Sequence, residues 1–433
     1  MKYFFILGNN PTLSFAEIVA VLNLKPEQIL MLTGEAAIAE MEEEIKEVKE
    51  KLMRRLGGTI KIGIIVFQSL MVNFQSIFNE KIFNNVNSGG KYSFGISYYG
   101  KGGLKNEKQL AMEIKKALKE KGVSSRWVTS REKQLSSVVV EQNKLVTDKG
   151  TEIVIIGAGK TYYIGRTLAV QPFKELSARD YGRPGRDDYS GMLPPKLAQM
   201  MINLATSPHS LRSSPLSLAR KGAGGEVLLD PFCGSGTIIT EAALMGFQDL
   251  IGCDKSEKAI SDTRKNFQFT ISNFFRPRPA QWGRNSIFNS KISNNQLKLF
   301  KCDVRNLNNK IKPDSVDVIV TEPYLGPSRA RRDRESIKEI VSELEELYNQ
   351  AISQFAKALK KNGRIVMVWP VFKARDTVLL SAKNILQNSD LKIINPLENF
   401  RDSNNIVKLT NRQTIIYGRE GQKVWREIVI LKK

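Results

Sequence analysis

The run Asp230-Pro231-Phe232-Cys233-Gly234-Ser235-Gly236-Thr237 follows a short apolar stretch at 227–229 and leads into helix-forming residues through Met245. Its two glycines let the backbone turn sharply and approach a ligand where a Cβ would collide, as a nucleotide-like cofactor requires. Many α/β proteins need such a turn for packing alone, so its chemistry depends on what lies downstream. Asp254 ends the next apolar run about 20 residues later, the spacing at which an acid accepts hydrogen bonds from ribose hydroxyls. Asp303 follows a third run at 297–302, and a fourth at 316–320 enters Thr321-Glu322-Pro323-Tyr324-Leu325-Gly326-Pro327. There Glu322 offers a carboxylate acceptor, Pro323 a carbonyl freed from sheet pairing, and Tyr324 a ring that can stack on a planar base. Together they suit an exocyclic amine, whose lone pair is delocalised into its ring. A site must accept its N–H hydrogens and hold it out of conjugation.

Four successive strand candidates each deliver a polar or Gly/Pro element at the carboxyl end, the edge of an open parallel sheet where ligands bind. The glycine spacing is neither G-x-G-x-x-G nor the triphosphate-binding G-x-x-x-x-G-K-[ST]. The stretch 190–198 predicts a helix with Pro194 and Pro195 in its first turn, lying against the pocket. Arg329, Arg331, Arg332 and Arg334 form a basic loop ahead of a helix through Leu359, and 363–369 continues the sheet. Residues 414–417 and 427–431 read as a hairpin that ends the sheet with an antiparallel strand. The insertion 274–296 carries Arg276, Arg278, Trp282 and Arg284 and suits either nucleic-acid contact or plain solvation.

Residues 1–70 alternate strand 3–7, helix 14–22, strand 29–39, helix 42–56 and strand 59–67, a small ferredoxin-like α+β unit. Residues 71–176 predict strands at 92–99, 136–140, 152–158 and 160–168 with a basic amphipathic helix at 108–121. Lys115, Lys116, Lys119 and Arg126, with Trp127, can bind phosphates or simply form a solvated face. A Gly/Pro-rich, charged linker at 177–189 precedes the last unit, 190–433. The formal net charge of +22 favours a polyanionic partner through counterion release, and the first 66 residues contribute none of the surplus. Three cysteines without a C-x-x-C pair argue against a disulfide scaffold, a zinc knuckle or an iron-sulfur cluster, and no metal is expected. No apolar run approaches the ~20 residues of a membrane span, so a cytoplasmic protein is expected.

The cofactor segments resemble the S-adenosylmethionine site of class I methyltransferases. Over nearly its whole length the chain resembles the archaeal and eukaryotic tRNA guanine-N2 methyltransferases, which carry an N-terminal ferredoxin-like unit, a THUMP RNA-binding domain and a class I methyltransferase domain. The resemblance rests on Ser190-Gly-Met-Leu-Pro-Pro-Lys-Leu-Ala198 with Asn203-Leu-Ala205, on Asp230 to Thr237, and on Gly252-Cys-Asp254. It implies an α/β, Rossmann-like catalytic domain with a mostly parallel sheet and a C-terminal antiparallel strand, S-adenosyl-L-methionine as cofactor and tRNA as partner. The implied cofactor residues are Leu193, Pro194, Asp230, Pro231, Phe232, Gly234, Gly236, Thr237, Asp254, Lys255, Asp303 and Val304. Of these, Asp230, Gly234 and Gly236 would face the methionine end, Asp254 the ribose and Asp303 the adenine amine. Glu322, Pro323 and Tyr324 would be catalytic, and Lys115, Lys116, Lys119, Arg126, Arg331 and Arg332 would hold RNA, with position ten of tRNA as target. The family's fourth motif is Asp-Pro-Pro-Tyr followed by Gly, whereas this chain has Glu322-Pro-Tyr-Leu-Gly326, so Tyr324 stands where the family has its second proline. Because this amine-binding motif is shared among them, rRNA guanine-N2 or DNA adenine-N6 methylation is an alternative, and the departure makes a non-catalytic cofactor- and RNA-binding protein another. An accessory subunit is left open. Carbon methylation would need a cysteine near the fourth motif, and none follows Cys302; the lone histidine, His209, precedes the first strand of the last unit.

Overall fold

The computed structural model describes residues 1–45, 47–78, 81–83, 86, 91–104, 106–186, 192–206, 226–274, 297–327, 334–373, 377–400 and 406–433. Arg276, Arg278, Trp282, Arg284, Arg329, Arg331, Arg332 and His209 lie outside them. The chain forms two compact units: Met1–Phe15, Leu24–Lys174 and Asn399–Val407 in the first, Ala16–Asn23, Glu175–Glu398 and Lys408–Lys433 in the second.

The elements begin with β1 (Lys2–Leu7), α1 (Pro11–Leu22), β2 (Ile29–Leu32), β3 (Ala36–Glu40), α2 (Met53–Arg55) and β4 (Thr59–Ser69). Next come α3 (Phe74–Ile77), β5 (Lys91–Tyr99), α4 (Glu107–Glu120), β6 (Ser124–Val128), α5 (Ser137–Gln142), β7 (Val146–Thr147), β8 (Gly150–Ala158) and β9 (Thr161–Val170). Among the described residues one sheet runs β2-β3-β1-β4-β9-β8-β5-β6, with β7 on β8, so residues 1–70 and 71–176 contribute to a single sheet. In α4 the apolar residues Leu110, Ala111, Ile114 and Leu118 recur at helical spacing and are buried. Lys115, Lys116 and Lys119 point to water on the other face.

Three expectations change here. The strand expected at 29–39 is two antiparallel strands, because Thr33 folds a turn in which its hydroxyl accepts the Ala36 N–H at 3.0 Å. The helix expected at 42–56 is not continuous: the Ile45 N–H goes to the Tyr3 hydroxyl at 3.1 Å and Glu47 is left-handed at φ 53°, so only a π-turn (Val48–Leu52) and α2 are helical. Residues 136–140, expected as a strand from three consecutive valines, begin α5, where the Ser136 hydroxyl caps the Val139 N–H at 3.3 Å. The sequence reading also missed β6, which pairs in parallel with β5.

The remaining elements are α6 (Phe173–Asp180), α7 (Pro195–Ala205), β10 (Val227–Asp230), α8 (Thr237–Leu244), β11 (Asp249–Asp254), α9 (Glu257–Phe274), β12 (Leu297–Lys301) and β13 (Val316–Thr321). They are followed by α10 (Arg334–Ala358), β14 (Leu359–Lys373), β15 (Thr377–Leu379), α11 (Ala382–Leu386), β16 (Lys392–Ile393), β17 (Ile415–Tyr417) and β18 (Val424–Lys432). Their sheet runs β12-β11-β10-β13-β14-β18-β16, with β15 on β14 and β17 on β18. The strands β10 to β14 pair in parallel, and β18 is antiparallel to β14. Order reverses between β10 and β13, which makes their carboxyl ends the switch point where such sheets bind ligands. Trp369, Tyr348 and Phe355 are fully buried on one side of this sheet, while α7 is buried almost all round.

Of the linker expected at 177–189, residues 187–189 lie outside the described residues and 177–186 are packed within the second unit. The first four belong to α6, where Arg179 is buried and its Nε donates to Glu241 Oε1 at 2.6 Å. Farther on, the Gly185 N–H donates to Asn266 Oδ1 at 2.8 Å. A buried charge with a fixed partner cannot be left free, so the segment is fastened.

In the first unit, Lys61 and Glu152 form an ion pair with side chains 1% and 0% exposed. The hydroxyls of Ser97 and Thr167 donate to Glu152, each at 2.6 Å, and Lys61 Nζ also donates to Leu135 O at 2.6 Å. Removing one partner leaves an uncompensated buried charge, so Glu152→Ala is expected to cost about 3–5 kcal/mol in urea unfolding. The double change Lys61→Met/Glu152→Leu is expected to cost clearly less.

Candidate active site

The glycine turn is built by its own backbone. The Gly236 N–H donates to Cys233 O at 2.7 Å, and the Cys233 N–H donates to Cys253 O at 2.9 Å, tying the turn to the end of β11. Gly234 and Gly236 take left-handed φ of 50° and 83°, which L side chains adopt with strain. The two glycines serve different ends. A Cβ at Gly234 would meet nothing nearer than 4.0 Å, so this position opens onto free space. One at Gly236 would lie 2.7 Å from Thr263, so that glycine lets the turn pack on α9.

The turn roofs a cavity of about 470 Å³ at the carboxyl ends of β10 to β13, within the range of small-molecule sites. Leu193, Asp230, Pro231, Phe232, Gly234, Thr237, Asp254, Lys255, Asp303 and Val304 line it together with Glu322, Pro323 and Tyr324. Two other expected residues do not: Pro194 sits at the start of α7, and Gly236 faces Thr263. Lys115, Lys116, Lys119 and Arg126 are exposed in the first unit, and Arg126 donates to Asn143. Cys233, Cys253 and Cys302 are buried free thiols whose pKa burial pushes up, so they pack rather than react.

Three carboxylates face this cavity under different constraints. Asp254 accepts the Gly234 N–H at 3.1 Å on one oxygen and the Ser256 N–H at 2.9 Å on the other, leaving lone pairs for a diol. Asp303 is held by Arg305, which donates from its backbone at 3.0 Å, from Nε at 2.9 Å and from Nη2 at 2.6 Å. The guanidinium hydrogen bonds pull its pKa down to about 2. Asp230 is buried; its Oδ1 accepts the Thr321 hydroxyl at 2.7 Å and the Phe232 N–H at 3.2 Å. Burial nevertheless pushes its pKa up to about 7, with Asp254 and Glu322 adding to the rise.

The loop 322–327, the acceptor loop, whose Glu322 and Pro323 offer hydrogen-bond acceptors, leaves β13 immediately after Thr321. Its bend is fixed from α10: the fully buried Tyr348 donates its hydroxyl to Tyr324 O at 2.8 Å. Gly326, at φ 92°, passes so close to Ile340 that a Cβ would lie 3.1 Å from that side chain. Tyr324 is 52% exposed and lines the cavity, so its ring is available for stacking. Glu322 is paired with Arg426 of β18: Nε donates to Oε1, and Nη2 reaches Oε2 at 3.5 Å. Nothing in the sequence marks Arg426, which lies 104 residues away. Arg305 was also missed, although its place two residues after Asp303 is the only signal it offers.

A family profile described as RMKL-like, methyltransferase domain matches residues 186–383, and one described as DNA methylase matches residues 27–265, more than half of the chain. The chain belongs to the class I S-adenosylmethionine-dependent methyltransferases. A tRNA (guanine(10)-N2)-dimethyltransferase of Methanothermobacter thermautotrophicus is 27% identical over 244 residues, covering 55% of this chain and 57% of that protein. The match therefore spans little more than half the length of that relative. The protein of the same description from Methanocaldococcus jannaschii is 24% identical over 301 residues, covering 67% of this chain and 70% of its own length. The crystal structure of TrmN from Thermus thermophilus shares the fold, with a TM-score of 0.52 at 14% identity over the full length of both chains.

The methyltransferase cavity suits its cofactor. S-adenosylmethionine supplies a methyl group already activated on a sulfonium. Gly234 leaves the room, Asp254 keeps acceptor positions for a ribose, and Asp230 is a buried carboxyl that a positively charged ligand would help to ionise. Among the described residues, no helix is long and apolar enough to cross a membrane.

Two outcomes follow from this geometry. Because the folded-state pKa of Asp230 is raised, the ligand-free protein keeps the proton that the unfolded chain releases near pH 4. That contribution to stability is full below pH 4 and is lost as pH rises to about 7. The free energy of urea unfolding is expected to fall between pH 5 and pH 8 by more for wild type than for Asp230→Asn, a difference of a few kcal/mol. Arg426→Ala is expected to lower kcat for methyl transfer about 100-fold by freeing Glu322 to move, with Arg426→Lys intermediate and cofactor affinity by calorimetry unchanged.

Proposed function

We propose that the protein transfers a methyl group from S-adenosylmethionine to the exocyclic N2 amine of a guanosine in tRNA, at position ten. The observation that carries this reading is the meeting of Glu322, Pro323 and Tyr324 with the cofactor residues in one cavity. The tRNA (guanine(10)-N2)-dimethyltransferase description of the two relatives supports the choice of base and RNA. In this reading the Tyr324 ring stacks on the extruded guanine, Glu322 accepts one N–H of the amine and the Pro323 carbonyl accepts the other. Oε2 of Glu322, which Arg426 holds more loosely, is the atom that takes the amine hydrogen. Aligned this way, the nitrogen presents its lone pair without needing a strong base, since the methyl donor is already activated.

The first unit supports an RNA-capturing role. Residues 1–70 correspond to a ferredoxin-like domain and 71–176 to a THUMP domain, with residues 190–433 as the catalytic domain. The α4 face of Lys115, Lys116 and Lys119 and nearby Arg126 give the first unit an exposed cationic surface suited to phosphates. Asp254 binds the ribose and Asp303 the adenine amine, through the acceptor position that Arg305 leaves open.

A second reading, DNA adenine-N6 methylation, rests on the DNA methylase profile and on an acceptor triple that an adenine amine would also satisfy. Incubation with labelled S-adenosylmethionine and unmodified tRNA, followed by nucleoside digestion, separates the two. N2-methylguanosine is expected, mapped to position ten by fragment analysis, and Glu322→Ala is expected to lose at least 100-fold in kcat with cofactor affinity intact. Label in N6-methyladenine of duplex DNA and not in tRNA would establish the second reading instead.

A further inference from the structure

The strands beside the acceptor loop do not stop where it starts. Thr321, the last residue of β13, pairs with Met367, whereas β14 continues to Lys373. At about 3.3 Å per residue those six residues carry it roughly 20 Å beyond the sheet edge. Along this overhang β18 stays paired with β14, Val424 opposite Phe372 and Arg426 opposite Pro370, and β15 covers the other side. A wall of strands thus rises from Glu322, rooted there by Arg426.

The wall is cationic and carries a built aromatic. Trp425 lies against Gly418, where a Cβ would come within 2.2 Å of its ring. Lys373 Nζ sits 4.4 Å from the Trp425 ring centroid and donates to the Thr377 hydroxyl at 3.0 Å, so its charge is fixed in place. Arg419 and Lys423 are exposed at the tip. Glu420 is the one exposed carboxylate among the described residues of the hairpin. Lys196, exposed at the start of α7, lies within electrostatic range of Arg419 and of the Asp180 carboxylate.

We propose that this wall binds the phosphodiester backbone flanking the target nucleotide, with Lys373, Arg419 and Lys423 on successive phosphates. The proposal rests on a polynucleotide being the substrate. It adds to the first unit's basic face a second contact that grips the strand next to the base being methylated. Phosphate contacts position a nucleic acid and steepen its salt dependence without reading sequence.

The test uses the full-length protein and its Lys373→Ala/Arg419→Ala/Lys423→Ala variant, with unmodified tRNA and duplex DNA as separate probes. The dissociation constant for the bound polynucleotide is expected to rise at least tenfold. The log–log slope of affinity against salt is expected to become shallower by about two units. Cofactor affinity and melting temperature are expected to stay unchanged, and kcat at saturating substrate to remain within about threefold. Arg419→Glu/Lys423→Glu, which spares the Lys373–Trp425 contact, is expected to show the same pattern if the triple variant folds poorly. Unchanged affinity and slope for a tRNA that the wild type methylates would overturn the wall and leave the tRNA reading standing. Loss of DNA affinity in the variant of an enzyme that methylates only DNA would support the wall while the tRNA reading falls. A wild type that binds neither probe would overturn both.

Discussion

The site is organised around one hydrogen bond, from the Thr321 hydroxyl to the buried Asp230 carboxyl. Asp230 ends β10 and opens the cofactor turn; Thr321 ends β13 and opens the acceptor loop. A buried carboxyl without a partner is costly, so the bond fixes the two strand ends at one height. The glycine turn and the loop that carries Glu322 are therefore held at a separation set by sheet pairing rather than by loop flexibility. The same burial that makes the bond necessary also keeps the carboxyl close to neutrality when no cation is present.

Beyond that bond, the protein places charge by pairing it. Glu322 faces Arg426, Asp303 faces Arg305, and Asp254 is held by backbone N–H groups. Each pairing uses part of the carboxylate and leaves a directed remainder for a ligand, so the acids are aimed before anything binds. In the first unit Lys61 and Glu152 consume all of each other's charge within the sheet, which serves the fold and presents nothing to a ligand.

The parallel strands and their polar carboxyl ends were legible because each combines a short apolar run with a Gly, Asp or Pro terminator, as at Asp230, Asp254, Asp303 and Thr321. Helix α4 was legible from the spacing of Leu110, Ala111, Ile114 and Leu118. Elsewhere local pattern misled. The valines before Glu141 favour a strand by propensity, yet the Ser136 cap and burial of Val140 make a helix. The run 42–56 has helical composition, but Tyr3 takes the Ile45 N–H from across the sheet. The charged, glycine-containing segment 177–189 read as a linker because nothing local shows that Arg179 meets Glu241.

The sequence by itself determined the class of site: a glycine turn with acids at fixed intervals permits a nucleoside cofactor at a parallel sheet edge, and a Glu-Pro-Tyr loop offers two acceptors and a ring. Those are properties of residue type and local spacing. Tertiary structure alone decided which acids are aimed and how. It assigned Arg426 to Glu322 across 104 residues, turned Gly236 into a packing contact with Thr263, and carried the paired β14 and β18 past the end of β13. Hydrogen bonds and ion pairs depend on separations in space, and strand pairing sets those separations between residues whose distance along the chain carries no information.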